Sequence, residues 1–352
     1  MHKGIKYFLY IVLLIVILFV AFLSYISLTD YQPDNEIEIY KGQSSSEISD
    51  SAQFNFLIWN IGYCGLNREM DFFYGGGKQV YPSDEVVFAN IQGVKNAIRS
   101  LNNIDFALFQ EVDLSSQRSH FTNQVDTLSN LFRGFNVAFG QNYLVPFVPV
   151  PISKPMGSVN SGLLTLSKYS PTSIKRYAYE GNFSWPTSLF MLDRCFLVNR
   201  YPMQNGKELL IINTHNSAYD DGGLRVAQMK QLKIFVEAEF KLGNYIIAGG
   251  DWNQCAPDFE ANFDMDRMDL VDKLDIPADL MSEGWRWLYD NKKPTNRRNI
   301  TAYTKGETLT TVIDFFLMSP NVKGLKIENL EMGFQYSDHQ AVIATIQLIP
   351  QN

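Results

Sequence analysis

The chain has 352 residues, 46% hydrophobic, 19% charged and 14% aromatic, with 23 Gly, 14 Pro and 3 Cys. This composition is globular and excludes a collagen-like repeat, a disordered acidic tail and a small disulfide scaffold. The formal net charge of −7 argues against a protein that grips nucleic acid through a broad basic surface. An enzyme that acts on phosphoesters with a metal ion supplying the positive charge stays open.

Residues 7–28 form an apolar run without one charged side chain. As a helix the run is roughly 33 Å long, enough to cross a bilayer. Lys3 and Lys6 precede it, while Asp30, Asp34, Glu36 and Glu38 follow. Positive charge on the first flank predicts residues 1–6 in the cytoplasm, a signal anchor over 7–28 and an extracytoplasmic remainder. The alternative is a signal peptide, with the protein secreted after cleavage. Residues 29–52 hold six acids and one base and are expected to be an acidic flexible linker. Setting aside the three bases and six acids of residues 1–52 leaves 27 bases against 31 acids in a single domain over 53–352. Cys64, Cys195 and Cys255 are odd in number and far apart, which implies no disulfide framework.

Within the domain, short β-rich apolar runs recur at 54–60, 104–111, 209–215, 245–253, 311–318 and 341–348. Helical patterns lie at 85–101, 124–132 and 224–242. Strands and helices in this mixed order predict an α/β sandwich of packed sheets with helices outside. Polar residues at the strand ends then converge on one rim, where sheet proteins commonly build their sites.

Those ends read Trp59-Asn60-Ile61, Phe109-Gln110-Glu111, Asn213-Thr214-His215, Gly250-Asp251-Trp252-Asn253, Ile313-Asp314-Phe315 and Ser337-Asp338-His339. An oxygen-rich donor set with two imidazoles and no paired cysteines suits Mg²⁺, with Mn²⁺ as the other choice, rather than structural zinc.

The six motifs, in this order, resemble the endonuclease/exonuclease/phosphatase (DNase I-like) superfamily. Its members include nucleases, abasic-site endonucleases, neutral sphingomyelinases and inositol-polyphosphate 5-phosphatases. The resemblance implies a four-layer α/β sandwich of two mixed sheets flanked by helices, with a metal-dependent phosphoester hydrolase site at one edge. It implies Glu111 as the principal metal ligand, with Asn60 and Asp338 assisting. It further implies that Asp314 orients His339, that Asp251 and Asn253 align the attacking water and the phosphate oxygens, and that His215 acts near the leaving group. Arg118 and Arg194 are candidates for phosphate contact. The family often has Arg before the Ile-Asp motif; here the residues are Thr311-Val312-Ile313-Asp314.

For the substrate the sequence points two ways. Six bases against one acid between Arg286 and Lys305 favour nucleic acid, the first expectation. The apolar, Pro-broken segment 143–151, together with Trp185-Pro186 and Phe190, favours a sphingomyelinase-like enzyme acting on phospholipid. A catalytically inactive tethered binding protein is the alternative of another class. The glycine run 75–77 has no phosphate-loop spacing and is expected to be a loop near Asn60. No protein partner is expected, and the chain is expected to be a monomer.

Overall fold

The computed structural model describes residues 3–44, 46–218, 220, 222–263 and 275–351. Met1 and His2 of the expected cytoplasmic terminus and Ser45 of the expected linker lie outside the described residues. In chain order the described elements are α1 (Lys3–Leu28), β1 (Glu36–Lys41), β2 (Gln53–Asn60), α2 (Asp84–Arg99), β3 (Phe106–Asp113) and α3 (Gln124–Ser129). They continue with β4 (Asn136–Val148), β5 (Gly157–Ser167), β6 (Ser173–Ala178), β7 (Cys195–Pro202), β8 (Glu208–His215), α4 (Gly223–Lys241) and β9 (Tyr245–Asp251). The last are β10 (Arg286–Leu288), β11 (Asn296–Arg297), β12 (Thr310–Thr311), β13 (Asp314–Met318), β14 (Val322–Asn329) and β15 (Val342–Leu348).

Two mixed sheets result, in the orders β1-β6-β7-β8-β9-β13-β10 and β14-β15-β2-β3-β5-β4, beside a short β11-β12 ribbon. Each sheet has one parallel pair near its centre, β8 with β9 and β2 with β3. Period-2 alternation decides which side chains face the other sheet. Phe54, Phe56 and Ile58 of β2 point inward with Phe106 and Leu108, and meet Ile211, Ile247 and Phe316 from the facing sheet. The Phe56 ring stacks on Phe106 at 5.0 Å and meets Phe316 edge-on at 5.5 Å. The intervening residues Leu57 and Trp59 face outward onto Val87, Ile91 and Val94 of α2 and Leu128 of α3. On the other side Met229, Leu232 and Val236 of α4 cover Leu210, Ile212 and Ile246. Helix, sheet, sheet and helix therefore stack as the expected four layers.

Three expectations need correction. Residues 29–52 are not a loose linker: β1 pairs antiparallel with β6 at the sheet edge, and Ile48 is buried in the inter-sheet core. Strand addition uses backbone N–H and C=O groups, so an acidic sequence can dock while its side chains stay solvated. The run at 311–318 is divided, because Thr310–Thr311 pairs with Asn296–Arg297 and the sheet strand begins at Asp314. The helix at 124–132 ends at Ser129, after which Phe132 turns onto the Phe109 ring. Segment 143–151 supplies the end of edge strand β4, where Pro146 falls at a register shift and its missing N–H is tolerated. All three cysteines are buried, and none is in a disulfide.

The end of α1 is seated on this body. Ile26 is fully buried, Phe22 stacks on Phe190 at 6.3 Å, and Trp185 Nε1 donates to Ser27 Oγ at 3.4 Å. Just beyond, burial pushes the Asp193 carboxyl up to about 7, and the charge of Asp30 adds to the effect. An acid raised in the folded state costs stability once ionised, a cost that grows as pH rises from about 4 to about 7 and is full above it. Asp193→Asn is therefore expected to raise the melting temperature at pH 8, with the gain shrinking as the pH is lowered toward 4. Phe56→Ala, which empties the centre of the inter-sheet core, is expected to lower unfolding free energy by about 3–5 kcal/mol in denaturant titration.

Candidate active site

The topology brings six strand ends to one rim. Parallel strands β2, β3, β8 and β9 deliver Asn60, Glu111, His215 and Asp251 at or near their C-terminal ends. Strand β13 runs antiparallel to β9 with Asp314 opposite Asp251, so its first residue lands at the same rim. Strand β15 runs antiparallel to β2 with Val342 opposite Ile58, which places Asp338 and His339 just before it. The tryptophans of two motifs fix the seams. Trp59 Nε1 donates to the His339 carbonyl at 3.1 Å and Trp252 Nε1 to that of Phe315 at 3.0 Å.

Local backbone irregularities aim the side chains. Glu111 has φ 54° and lies within a register shift between β3 and β5, so its carboxylate leaves the ladder and faces the cleft. Gly250, at φ 150°, lies so close to β8 that a Cβ would sit 2.0 Å from the Thr214 carbonyl oxygen. That close approach holds Asp251 opposite His215.

Asp251 is the centre of the network. Its Oδ2 accepts from Asn60 Nδ2 at 2.9 Å and lies 3.4 Å from His215 Nε2 and 3.6 Å from His339 Nε2. Asn60 Nδ2 also donates to Glu111 Oε1 at 3.2 Å, while its Oδ1 accepts from the Gly62 N–H at 2.9 Å. The amide thus turns its donor end to the carboxylates and its oxygen to the backbone. Asn60, expected to help hold a metal, fixes two acids in place here.

His339 Nδ1 lies 2.9 Å from Asp314 Oδ2, the pairing expected from the sequence. Burial disfavours charge on His339, but Asp314, Asp251 and Asp338 together outweigh it and raise its pKa well above the usual value. His215 goes the other way: burial lowers its pKa well below the usual value, and Arg194, His339 and Arg118 add to this. Burial also pushes Asp251 up to about 7, with Asp314 adding to it against the opposing pull of His339 and Asn60. One buried carboxylate thus stands between two imidazoles that their surroundings bias toward opposite protonation states.

Asp338 accepts from Asn299 Nδ2 at 2.9 Å, and its pKa is raised by burial and then by the neighbouring Glu111 charge. Two carboxylates that repel each other at the cleft are a hard-oxygen donor set and fit Mg²⁺ or Mn²⁺. Asp251, Asp314 and His339 also have donor atoms within 4.8 Å of one another. There the His339–Asp314 hydrogen bond engages His339 Nδ1 and Asp314 Oδ2, an arrangement suited to proton handling.

Asn253 lines the cleft, its Nδ2 donating to the Asn216 carbonyl at 3.0 Å and its N–H to Asp251 Oδ1 at 2.9 Å. Arg194 lines the cleft as well. Arg118 does too, but its fork is engaged: Nε and Nη2 donate to Asp113 at 3.2 and 2.9 Å, over the Tyr63 ring at 3.8 Å. Arg118 therefore offers the cleft charge rather than a free bidentate face. The basic stretch also differs from expectation. Arg297 is buried and donates to the carbonyls of Asn67, Met70, Arg298 and Thr301, while Arg286 donates to that of Val322. Lys293 pairs with Glu328 and Lys305 with Glu331.

Sequence reasoning missed Asn299 and Asn216 and saw Arg297 only as one base of the 286–305 stretch, whereas all three tie the rim loops together. None carries a spacing signal, because each acts through a backbone partner or neighbour that only the fold supplies.

The cleft over this rim has a volume of about 960 Å³. The family model of the endonuclease/exonuclease/phosphatase family matches residues 87–339, more than half of the chain. The chain belongs to that family. Among solved structures, it is similar to the endonuclease/exonuclease/phosphatase from Beutenbergia cavernae DSM 12333, at 15% identity over 84% of this chain and 72% of that one, TM-score 0.56. It is also similar to the endonuclease/exonuclease/phosphatase from Bacteroides vulgatus, at 16% identity over 84% and 99%, TM-score 0.53. A third is ANGEL2, a 2',3'-cyclic phosphatase, at 14% identity over 87% and 98%, TM-score 0.52. At these identities the likeness shows the fold alone. No curated protein sequence matches the chain. Family membership supports a phosphoester hydrolase.

Proposed function

We propose that the chain is a membrane-anchored, extracytoplasmic phosphoester hydrolase that uses a divalent metal. The observation that carries the chemistry is Asp251 Oδ2 within 3.4 and 3.6 Å of two imidazoles, one of them locked to Asp314. Glu111 and Asp338 would hold Mg²⁺ or Mn²⁺, which when bound supplies positive charge for the phosphoester oxygens. Asp251 is the group set to take the proton of an attacking water. His339, kept charged by Asp314, stabilises charge on the phosphate. His215 would stand near the departing oxygen, where its ring N–H, neutral in this buried setting, would donate a hydrogen bond while the oxygen takes its proton from solvent water. A water oxygen–phosphorus bond forms as the phosphorus–ester oxygen bond breaks. No covalent protein intermediate is needed.

Anchoring rests on α1, whose apolar window has mean hydropathy 3.0, and on Lys3 and Lys6 at its first flank. The buried Ile26 and the Phe22–Phe190 stack favour a retained anchor over a cleaved signal, since cleavage would remove packed residues. The nucleic-acid substrate expected from residues 286–305 loses part of its support, because Arg286 and Arg297 serve carbonyls of the fold and Lys293 and Lys305 pair with Glu328 and Glu331.

The test is hydrolysis of a soluble chromogenic phosphodiester and a phosphomonoester by the full chain in detergent. Turnover is expected with Mg²⁺, to disappear with chelator, and to fall about a hundredfold to ten-thousandfold in Asp251→Asn. Turnover unchanged in that variant or under chelation would refute the proposal.

A further inference from the structure

We infer that edge strand β4, residues 149–152 after it and segment 185–192 form a bilayer-seating wall, and that the cleft takes the phosphoester headgroup of a lipid in that bilayer. This rests on the anchored-hydrolase reading above and adds its substrate class.

The depth of the contact with α1 carries the argument. Phe22 meets Phe190 face to face and Phe147 edge-on, each at 6.3 Å. Phe22 lies six residues before the end of the helix, so it sits roughly 9 Å below Leu28 along the axis. A hydrocarbon core about 30 Å thick takes up about 20 residues of a helix that begins its apolar run at Tyr7, which puts Phe22 inside its outer edge. Phe147 and Phe190 belong to the catalytic body, so the body itself reaches that level.

The surface around the contact is suited to that place. Ile152 is 91% exposed, Trp185 63%, and Phe147 and Val150 38% each. Water is a poor environment for such a cluster, whereas the interface is where a Trp that donates to Ser27 is at home. The occupant follows from continuity with the anchor helix: it is the outer leaflet through which α1 emerges.

The same wall continues into the cleft. Phe190 and Leu192 pack on the cluster that holds Tyr63, Tyr143 and Met156. Tyr143 Oη donates to the Phe190 carbonyl at 2.8 Å, and Tyr143, Met191 and Leu192 line the cleft. An apolar path therefore runs from the anchor to the carboxylates, as a headgroup ester with attached acyl chains would use. Of the bases along residues 286–305 that a polyanionic strand would need, Arg286, Lys293, Arg297 and Lys305 are engaged by carbonyls or acids of the fold.

The experiment uses the full chain in vesicles of equimolar phosphatidylcholine, phosphatidylethanolamine, phosphatidylglycerol and sphingomyelin, with a soluble chromogenic phosphodiester as the parallel substrate. Ile152→Glu, outside the cleft, is expected to lower lipid turnover at least tenfold and leave turnover of the soluble diester unchanged. Tryptophan emission is expected to be quenched by lipids brominated on the acyl chain, and Trp185→Phe to remove most of that quenching. Soluble diester cleaved with all four lipids intact would overturn the inference while leaving the hydrolase reading in place. Cleavage of neither would overturn both. Quenching equal in Trp185→Phe and wild type would refute the seating by itself.

Discussion

A buried carboxylate is tolerated only where its neighbours balance it, and the rim of this protein is organised around that requirement at Asp251. Burial raises its pKa, the Asn60 amide donates to it, and His339 sets a positive charge beside it. Asp314 in turn holds His339 charged against a desolvation cost that would otherwise neutralise it. Remove either partner and the remaining group becomes an unpaired charge in a dry site, which is why such groups are found as a unit. The opposite sense of the two imidazoles follows from geometry. His339 has a carboxylate at 2.9 Å, whereas the field at His215 includes two arginines and His339 itself.

The sandwich makes this cluster possible by supplying two parallel pairs, one per sheet, whose C-terminal ends face each other across the core. Antiparallel neighbours β13 and β15 add groups from their starts. The packed phenylalanines between the sheets set the separation, and close backbone approach at Gly250 sets the height of Asp251. Positioning here comes from rigid strands, and loops such as the one held by Arg297 close the rim around them.

Much of this was legible in the sequence, for a physical reason. Strands buried on both faces read as apolar runs, and a polar residue ending such a run is conspicuous, so Asn60, Glu111, His215, Asp251 and Asp314 stood out individually. The pairing of Asp314 with His339 came only from the family resemblance, since a separation of 25 residues carries no spacing rule. What was not legible depended on partners distant in the chain. The linker composition predicted solvation, yet β1 docks through its backbone. Arg118 read as a phosphate contact and Arg297 as part of a substrate-facing basic stretch, yet they are buried donors to Asp113 and to four carbonyls. The amide orientation of Asn60 is decided by the Gly62 N–H, which no residue type announces.

The chain thus joins an apolar helix long enough to span a membrane directly to a phosphoesterase-family body, with the helix end packed as part of the fold rather than leading into a tether. Its chemistry, however, depends on whether the paired acids Glu111 and Asp338 take up a cation. The most direct measurement is titration of the full chain with Mn²⁺, following free Mn²⁺ by electron paramagnetic resonance. The account predicts saturable binding that Mg²⁺ displaces and that Glu111→Gln abolishes without lowering the melting temperature. Binding that survives Glu111→Gln combined with Asp338→Asn, or no binding by the wild type, would contradict it.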